Sequence, residues 1–191
     1  MSGSLEVVAA GESLPVSTVL SLSLDDADRI AVTSRRKLGH IALVESVEAF
    51  TRSNNLGPDA LDPSLDSEWF RNAFESKRGS LKSALMDQGT IAGIGNIYSD
   101  EILFQSGIHP KTQIGRIRAE DLDRVFATLR SVLRKAIDRS ITTEDLDNVP
   151  PKCWLLAQRT KGGRCPRCGE LLQTTKVGGR TAYYCGSCQG G

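Results

Sequence analysis

The chain has 191 residues, of which 39% are hydrophobic and 25% are charged, values typical of a globular protein with one or two domains. No apolar run approaches membrane-span length, and the first residues lack the basic and apolar regions of a secretory leader, so we expect a cytoplasmic protein without a membrane partner. The net charge of +1 hides an asymmetry, because residues 1–75 hold 12 acidic and 6 basic residues whereas residues 76–191 hold 11 and 18. The basic part predicts a polyanionic partner, although a solvated basic face would have the same composition.

The first 50 residues have the composition of β-strands. The stretches Val16–Leu24, Arg29–Thr33 and Gly39–Val44 are apolar or alternate between polar and apolar residues, and polar turns separate them. Residues 51–66 contain three dipeptides that are typical of turns. We therefore interpret residues 51–66 as a linker.

The apolar spacing becomes helical at Asp66. It predicts a helix capped by Asp66 or Ser67 and running to about Lys77, a short helix over Leu81–Asp87, a helix over Tyr98–Gln105 and a long helix over Ala119–Arg139. The first turn of the long helix is acidic and its last turn is basic, which complements the helix dipole. A further short helix is predicted to start at Thr142.

Four cysteines near the C-terminus have the spacing of a zinc site. Cys165 and Cys168 form one C-x2-C pair, and after sixteen residues Cys185 and Cys188 form another. Four thiolates leave no open coordination position, so the spacing predicts one structural Zn²⁺. Two disulfides are the alternative, which the expected reducing compartment disfavours. Cys153 is left over, and we expect it to be a small buried residue.

The segment between the two cysteine pairs predicts a β-hairpin. Leu171–Val177 and Arg180–Tyr184 have strand composition, and Gly178 and Gly179 between them suit the positive φ angles of a two-residue turn. The metal would then close the base of the hairpin, and Arg180 would leave from its tip.

A glycine-rich turn precedes the helix predicted over Tyr98–Gln105. Gly93 and Gly95 let the backbone approach another molecule closely, and the free N–H groups of a helix start can bind a phosphate. Asn96 adds a side-chain donor. The same turn could serve packing alone.

These motifs together resemble one family of DNA repair proteins. The segments Leu81–Gln88, Ile91–Phe104 and Gly107–Pro110 resemble the helix–two-turn–helix domain of the formamidopyrimidine-DNA glycosylase and endonuclease VIII family, and Arg180–Cys185 resembles its zinc finger. A weaker similarity over Val19–Val44 resembles the last strands of that family's N-terminal β-sandwich.

The resemblance implies an α+β fold in four parts. Residues 1–50 would be a partial β-sandwich, residues 51–66 a linker, residues 67–148 the helix–two-turn–helix domain and residues 149–191 the zinc finger. The implied partner of such a protein is duplex DNA with damaged or abasic sites, and we expect the protein to be a monomer.

The resemblance also implies DNA-binding residues. Asn96, with Gly95 beside it, and Arg180 match the family residues that grip backbone phosphates near the lesion. Arg36 and Leu38 match the arginine and the phenylalanine of a loop that inserts into the duplex. Leucine lacks the aromatic ring, but several types of apolar side chain can wedge a base step.

The catalytic residues of the family have no match here. Its members begin with proline followed by glutamate, whereas this chain begins with Met1 and has its first proline at Pro15. The mechanism needs a nucleophilic amine and a nearby acid–base group. We therefore predict a DNA-binding protein without glycosylase or AP-lyase activity. The alternatives are an active enzyme that uses a substitute amine and a zinc module that binds protein or RNA.

Overall fold

The computed structural model describes residues 3–37, 41–142 and 152–190. Contacts within the chain divide it into two compact units, Met1–Val47 and Glu48–Gly191. Strands and helices occupy separate segments, which confirms the predicted α+β class. Within the described ranges, no helix has both the length and the apolar character needed to cross a membrane.

The first unit is an antiparallel sheet of three strands. Strands β1 (Gly3–Val8), β2 (Thr18–Ser23) and β3 (Arg29–Ser34) pair in the order β1-β3-β2, so that β3 is central. Leu5 and Val7 of β1 pair with β3 residues and are 70% and 72% exposed. The sheet therefore presents apolar side chains on one face of its edge strand.

Two of the predicted strands are confirmed and a third is wrong. β2 and β3 correspond to the strands predicted over Val16–Leu24 and Arg29–Thr33. In the stretch Gly39–Val44, residues 41–44 form no strand. Residues 39 and 40 lie outside the described residues. β1 was missed, although its alternating polar and apolar residues are a strand signal.

The second unit contains five α-helices within its described residues, two short 3-10 helices and one hairpin. The helices are α1 (Val47–Ser53), α2 (Ser67–Glu75), α3 (Leu81–Leu85), α4 (Asn96–Ser106) and α5 (Ala119–Thr142). The 3-10 helices span Ile114–Arg116 and Leu155–Gln158, and the hairpin consists of β4 (Gln173–Val177) and β5 (Arg180–Tyr184). Four helices and the hairpin were predicted with these bounds to within a few residues. The further helix predicted from Thr142 falls on residues outside the described ranges.

Local hydrogen bonds explain where the helices begin and end. The Asp66 carboxylate accepts a hydrogen bond of 2.7 Å from the Trp69 N–H and so caps α2, as predicted. Ser80 caps α3 in the same way through the Ser83 N–H. Gly107 adopts φ +69°, which closes the C-terminus of α4 in the left-handed conformation that favours glycine.

The core of the second unit lies between α2, α4 and α5. Phe70 stacks on Phe74 with ring centroids 4.2 Å apart and lies 5.2 Å from the Phe126 ring. Phe70 and Phe74 of α2 are fully buried, and so are Ile102 of α4 and several residues of the apolar stripe of α5. This packing holds α4 against α5.

Two predictions about individual segments need revision. Residues 51–66, predicted as a linker, begin inside α1 and contribute Ala60 and Leu65 to the core. Gly57 packs so closely that a Cβ there would lie 2.6 Å from the Thr90 carbonyl oxygen. Cys153, expected to be buried, is exposed, because the chain next to it buries Trp154 instead.

Candidate nucleic-acid interface and metal centre

The four cysteines converge as the spacing predicted. Their sulfur atoms all lie within 4.8 Å of one another, with Cys165 Sγ 3.8 Å from Cys188 Sγ and Cys168 Sγ 3.5 Å from Cys185 Sγ. A tetrahedral zinc with Zn–S bonds of about 2.3 Å places sulfurs about 3.8 Å apart. The residues are therefore positioned to bind one Zn²⁺ ion.

The chemistry of the four thiols also calls for a cation. Burial and the neighbouring sulfurs raise the pKa of the Cys188 thiol to about 12. Burial also acts to raise the pKa of Cys165, but backbone N–H groups of Cys168 and Arg167 outweigh it and lower the pKa to about 7. Four crowded sulfurs can all be thiolates only when a metal ion compensates their charge.

The hairpin above the metal site has the predicted turn. Gly178 and Gly179 have φ angles of +55° and +73°, and Val177 pairs with Arg180 across the turn. The Arg180 side chain is exposed at the tip and has no hydrogen bond or ion pair with any residue that the structure describes. Ala182, two residues further along β5, is completely buried and anchors the strand.

The glycine turn before α4 is held by one glutamine side chain. Gln88 Nε2 donates to the Ile94 carbonyl at 2.8 Å, and Gln88 Oε1 accepts from the Gly93 N–H at 3.0 Å. Gly95 is the N-cap residue of α4 and provides no side-chain cap. A Cβ added at Gly95 would meet no atom within 4 Å, so this side of the turn is open. The first N–H groups of α4 therefore face a space that an anion could occupy.

Asn96 connects the glycine turn to the hairpin. Its Nδ2 donates to the carbonyl oxygen of Thr181 at 3.2 Å, and Thr181 follows Arg180 directly in β5. Asn96 Oδ1 is buried and has no hydrogen-bond partner among the described residues. Asn96 and Arg180, the two residues to which the resemblance assigns phosphate binding, are 84 positions apart in sequence and thus belong to neighbouring elements of one surface.

Sequence reasoning missed a group of buried charges behind this surface. Lys82 of α3 and Asp100 of α4 are 0% and 1% exposed, and Arg159 approaches the same carboxylate. Burial lowers the pKa of Lys82, and Asp100 opposes this effect. Charged residues at apolar positions of two helices were the available signal, but their partners lie far away in sequence.

Glu101 is a buried carboxyl that connects α4 to the segment after α5. Its Oε2 accepts the Leu156 N–H at 2.8 Å and its Oε1 accepts from Gln105 Nε2 at 2.7 Å. Burial raises the pKa of this carboxyl, and these donors oppose the increase. Glu101 therefore attaches the segment after α5 to α4.

The remaining predicted site residues belong to the first unit. Arg36 lies in an exposed turn after β3. Leu38 lies outside the described residues. The role of both residues in duplex insertion stays a prediction.

Comparison with known proteins gives matches to two family models and to complete relatives. The formamidopyrimidine-DNA glycosylase H2TH domain matches residues 56–146, and the zinc finger found in FPG and IleRS matches residues 162–190. The formamidopyrimidine-DNA glycosylase of Thermomicrobium roseum is 35% identical over 161 residues, which are 81% of this chain and 56% of that protein. The one of Shewanella loihica is 34% identical over 99% of this chain and 72% of the relative. The chain thus spans little more than half of one relative and about three quarters of the other.

A solved structure shares the fold over the whole chain. It is the Lactococcus lactis formamidopyrimidine-DNA glycosylase non-covalently bound to DNA that contains an AP site. The likeness covers 100% of this chain and 72% of that protein, with a TM-score of 0.81 and 24% sequence identity.

Proposed function

Because the chain belongs to the formamidopyrimidine-DNA glycosylase family, we propose that it binds duplex DNA through backbone phosphates held between Asn96 and Arg180. The observation that carries this proposal is the hydrogen bond from Asn96 to Thr181, which joins the helix start to the hairpin tip. The AP-site DNA named for the Lactococcus lactis structure supports the choice of ligand.

The chemistry of the two elements suits a phosphate. The Arg180 guanidinium has no partner among the described residues and can form charge-assisted hydrogen bonds, and the start of α4, which has no side-chain cap, adds backbone donors and the positive end of the helix dipole. Asn96 Nδ2 has a second N–H hydrogen beyond the one directed at Thr181. None of these groups reads a base, so the contacts set position and not sequence.

The preferred duplex in this proposal is damaged or abasic. A duplex that has lost a base pair bends and opens at lower cost than an intact one, so a protein that grips phosphates on a bent backbone favours it. The preference would then come from the deformability of the DNA and not from a base pocket.

We propose further that this chain binds DNA without cleaving it. A Schiff-base mechanism needs an accessible, unprotonated amine. Lys82 is the described lysine whose pKa is lowered, but its amine is fully buried and is bound to Asp100, to Ser99 and to the Asn96 carbonyl. It cannot reach a sugar carbon from this position. Borohydride trapping on abasic DNA should give no adduct, and a covalent adduct would support the alternative of a substitute amine.

Binding to a duplex with an abasic analogue, measured over a range of salt concentrations, tests the proposed function. Arg180→Ala should weaken binding to all duplexes similarly and reduce the slope of log K against log salt by about one. Lys135→Ala is the matched control, because it removes one exposed charge from α5. We call Asn96 and Arg180 together the phosphate clamp. Salt-independent binding, or equal slope changes in the two variants, would contradict this clamp. A preference for RNA or protein would favour the alternative hypothesis of a zinc module that binds these partners.

A further inference from the structure

Three charged groups meet where α3, α4 and the chain leading into the hairpin come together. Asp100 Oδ1 lies 2.8 Å from Lys82 Nζ, and Asp100 Oδ2 lies 2.9 Å from Arg159 Nε. The side chains of Lys82 and Asp100 are 0% exposed, and that of Arg159 is 16% exposed. Ions buried in this way are costly unless their geometry is close and further hydrogen bonds satisfy them.

The further hydrogen bonds lead to both halves of the phosphate clamp. On the α4 side, Lys82 Nζ donates to the Asn96 carbonyl at 3.0 Å and to Ser99 Oγ at 2.6 Å. On the hairpin side, Asp100 Oδ2 accepts the Tyr183 N–H at 3.2 Å. A single carboxylate is therefore connected, directly or through one lysine, to the backbone of Asn96 and to β5.

Arg159 completes the connection to the hairpin. Its Nη2 donates to the Thr181 carbonyl at 3.2 Å, the same oxygen that accepts from Asn96 Nδ2. Its guanidinium also lies 4.9 Å from the centroid of the Tyr183 ring. The residue that follows Arg180 is thus held by the arginine and by the asparagine together.

We infer that Asp100 is a positioning residue that sets the distance between Asn96 and Arg180, an inference that rests on the proposed binding of phosphates by these two residues. An apolar side chain would fill the same space but would impose no direction on its neighbours. The carboxylate instead orients two cations, and each cation holds a backbone carbonyl of one half of the clamp. The group also carries a net charge of +1 behind the surface that would face the phosphates.

This role differs from a general contribution to stability in one measurable respect. In a clamp of fixed spacing, the loss of one phosphate contact also weakens the other, so the effects of Asn96→Ala and Arg180→Ala on affinity are not additive. In a loosened clamp, each contact acts by itself. Asp100 should therefore control the coupling between the two substitutions and not only the affinity.

The experiment measures duplex affinity for Asn96→Ala, Arg180→Ala and their combination, first with Asp100 present and then with Asp100→Asn. With Asp100 present, the double variant should bind about fivefold to tenfold better than the two single losses multiplied together predict. With Asp100→Asn, the coupling should fall to within about twofold of additivity. Zinc content and helical circular dichroism confirm that each protein is folded.

Arg159→Lys decides the question if Asp100→Asn does not fold. Lysine retains the charge next to Asp100 but lacks the second donor that Arg159 directs at Thr181, so the coupling should again disappear. Asp123→Asn is the matched control, because it removes a carboxylate paired with Arg71 on α2 and should leave the coupling unchanged.

The outcomes separate this inference from the proposed function. If the unmodified chain shows no salt-dependent duplex binding, the proposed function is wrong. If it binds but the coupling persists in Asp100→Asn and Arg159→Lys, or is absent from the start, the positioning role alone is overturned.

Discussion

Helix α4, which begins at Asn96, lies on the main apolar core of the second unit, whereas the hairpin that carries Arg180 lies on a much smaller one. Ile102 and Leu103 of α4 are at most 1% exposed, in a cluster that extends through α2 and α5. The buried residues of the smaller cluster are Phe104, Leu155, Cys165 and Cys185. Two of these four are metal ligands by their geometry.

The difference means that the two halves of the proposed clamp depend on different kinds of interaction. Apolar burial stabilises α4 in proportion to the area removed from water. An isolated two-stranded hairpin is at best marginally stable in water, so we expect most of the folding free energy of this one to come from metal coordination and from its attachments to α4. Conditions that remove the metal should therefore unfold the hairpin that carries Arg180 and leave α4 with Asn96 folded.

Removal of zinc is the strongest test of this comparison. Structural zinc contributes about 10–16 kcal/mol of apparent folding free energy, so chelation should unfold the hairpin. The helices of the second unit should persist, because their core does not contain the metal site. We expect helical circular dichroism to change little while duplex affinity falls at least as far as in Arg180→Ala.

Cysteine substitutions provide the matched control for chelation. Cys185→Ser should reproduce the loss of zinc and of affinity, whereas Cys153→Ser should change neither, because Cys153 is exposed and lies outside the four-cysteine group. If the chelated protein binds duplex DNA with full affinity when no zinc is added back, the hairpin does not depend on the metal.

A core substitution tests the half of the clamp that depends on apolar burial. Phe70→Ala should lower the free energy of unfolding by about 3–5 kcal/mol, because it leaves a cavity between Phe74 and Phe126. Urea unfolding followed by circular dichroism measures this change. Leu5→Ala is the control, because Leu5 is 70% exposed in the edge strand β1, and a similar loss there would show that burial does not determine stability in this protein.

The parts of the structure that sequence reasoning could predict are those with local signals. The apolar period predicted α2 and α5, the carboxylate of Asp66 predicted a helix start, and the cysteine spacing predicted the metal site. These signals all act over a few residues, or in the case of the cysteines through a fixed ligand chemistry.

The parts that could not be predicted depend on pairings between distant segments. Lys82 and Asp100 stand at apolar positions of their helices, but the sequence does not show which distant residues they pair with, and only the packing of α3, α4 and the chain before the hairpin brings them together with Arg159. The exposure of Cys153 has the same origin, since neighbouring Trp154 takes the buried position. In each case, tertiary contacts and not residue type determine whether the side chain is buried.

A glycine substitution separates binding from stability on the α4 side. Gly95→Ala adds a methyl group on the open side of the turn, where no protein atom lies within 4 Å, so stability should change by at most about 1 kcal/mol. If a phosphate approaches this turn closely, affinity should fall about tenfold, the value of one charge-assisted hydrogen bond.

Gly115→Ala is the control for this substitution. A Cβ at Gly115 also meets no atom within 4 Å, but this glycine lies in the short helix before α5. Its affinity should therefore remain unchanged. An unchanged affinity in Gly95→Ala as well would remove the glycine turn from the proposed interface and leave phosphate binding to Arg180.

The smallest effect is expected for an ion pair on the surface of the helical core. Arg71 Nη1 lies 3.3 Å from Asp123 Oδ2, and the two side chains are 40% and 38% exposed. Solvent screens such a pair, so Asp123→Asn should change the free energy of unfolding by less than about 1 kcal/mol, in contrast to the buried Asp100. Parallel urea titrations of Asp123→Asn and Asp100→Asn measure this contrast. Equal losses of unfolding free energy in the two variants would mean that burial makes no difference to the contribution of these carboxylates. The ion pairs of Asp100 would then stabilise the protein no more than a solvent-exposed pair does.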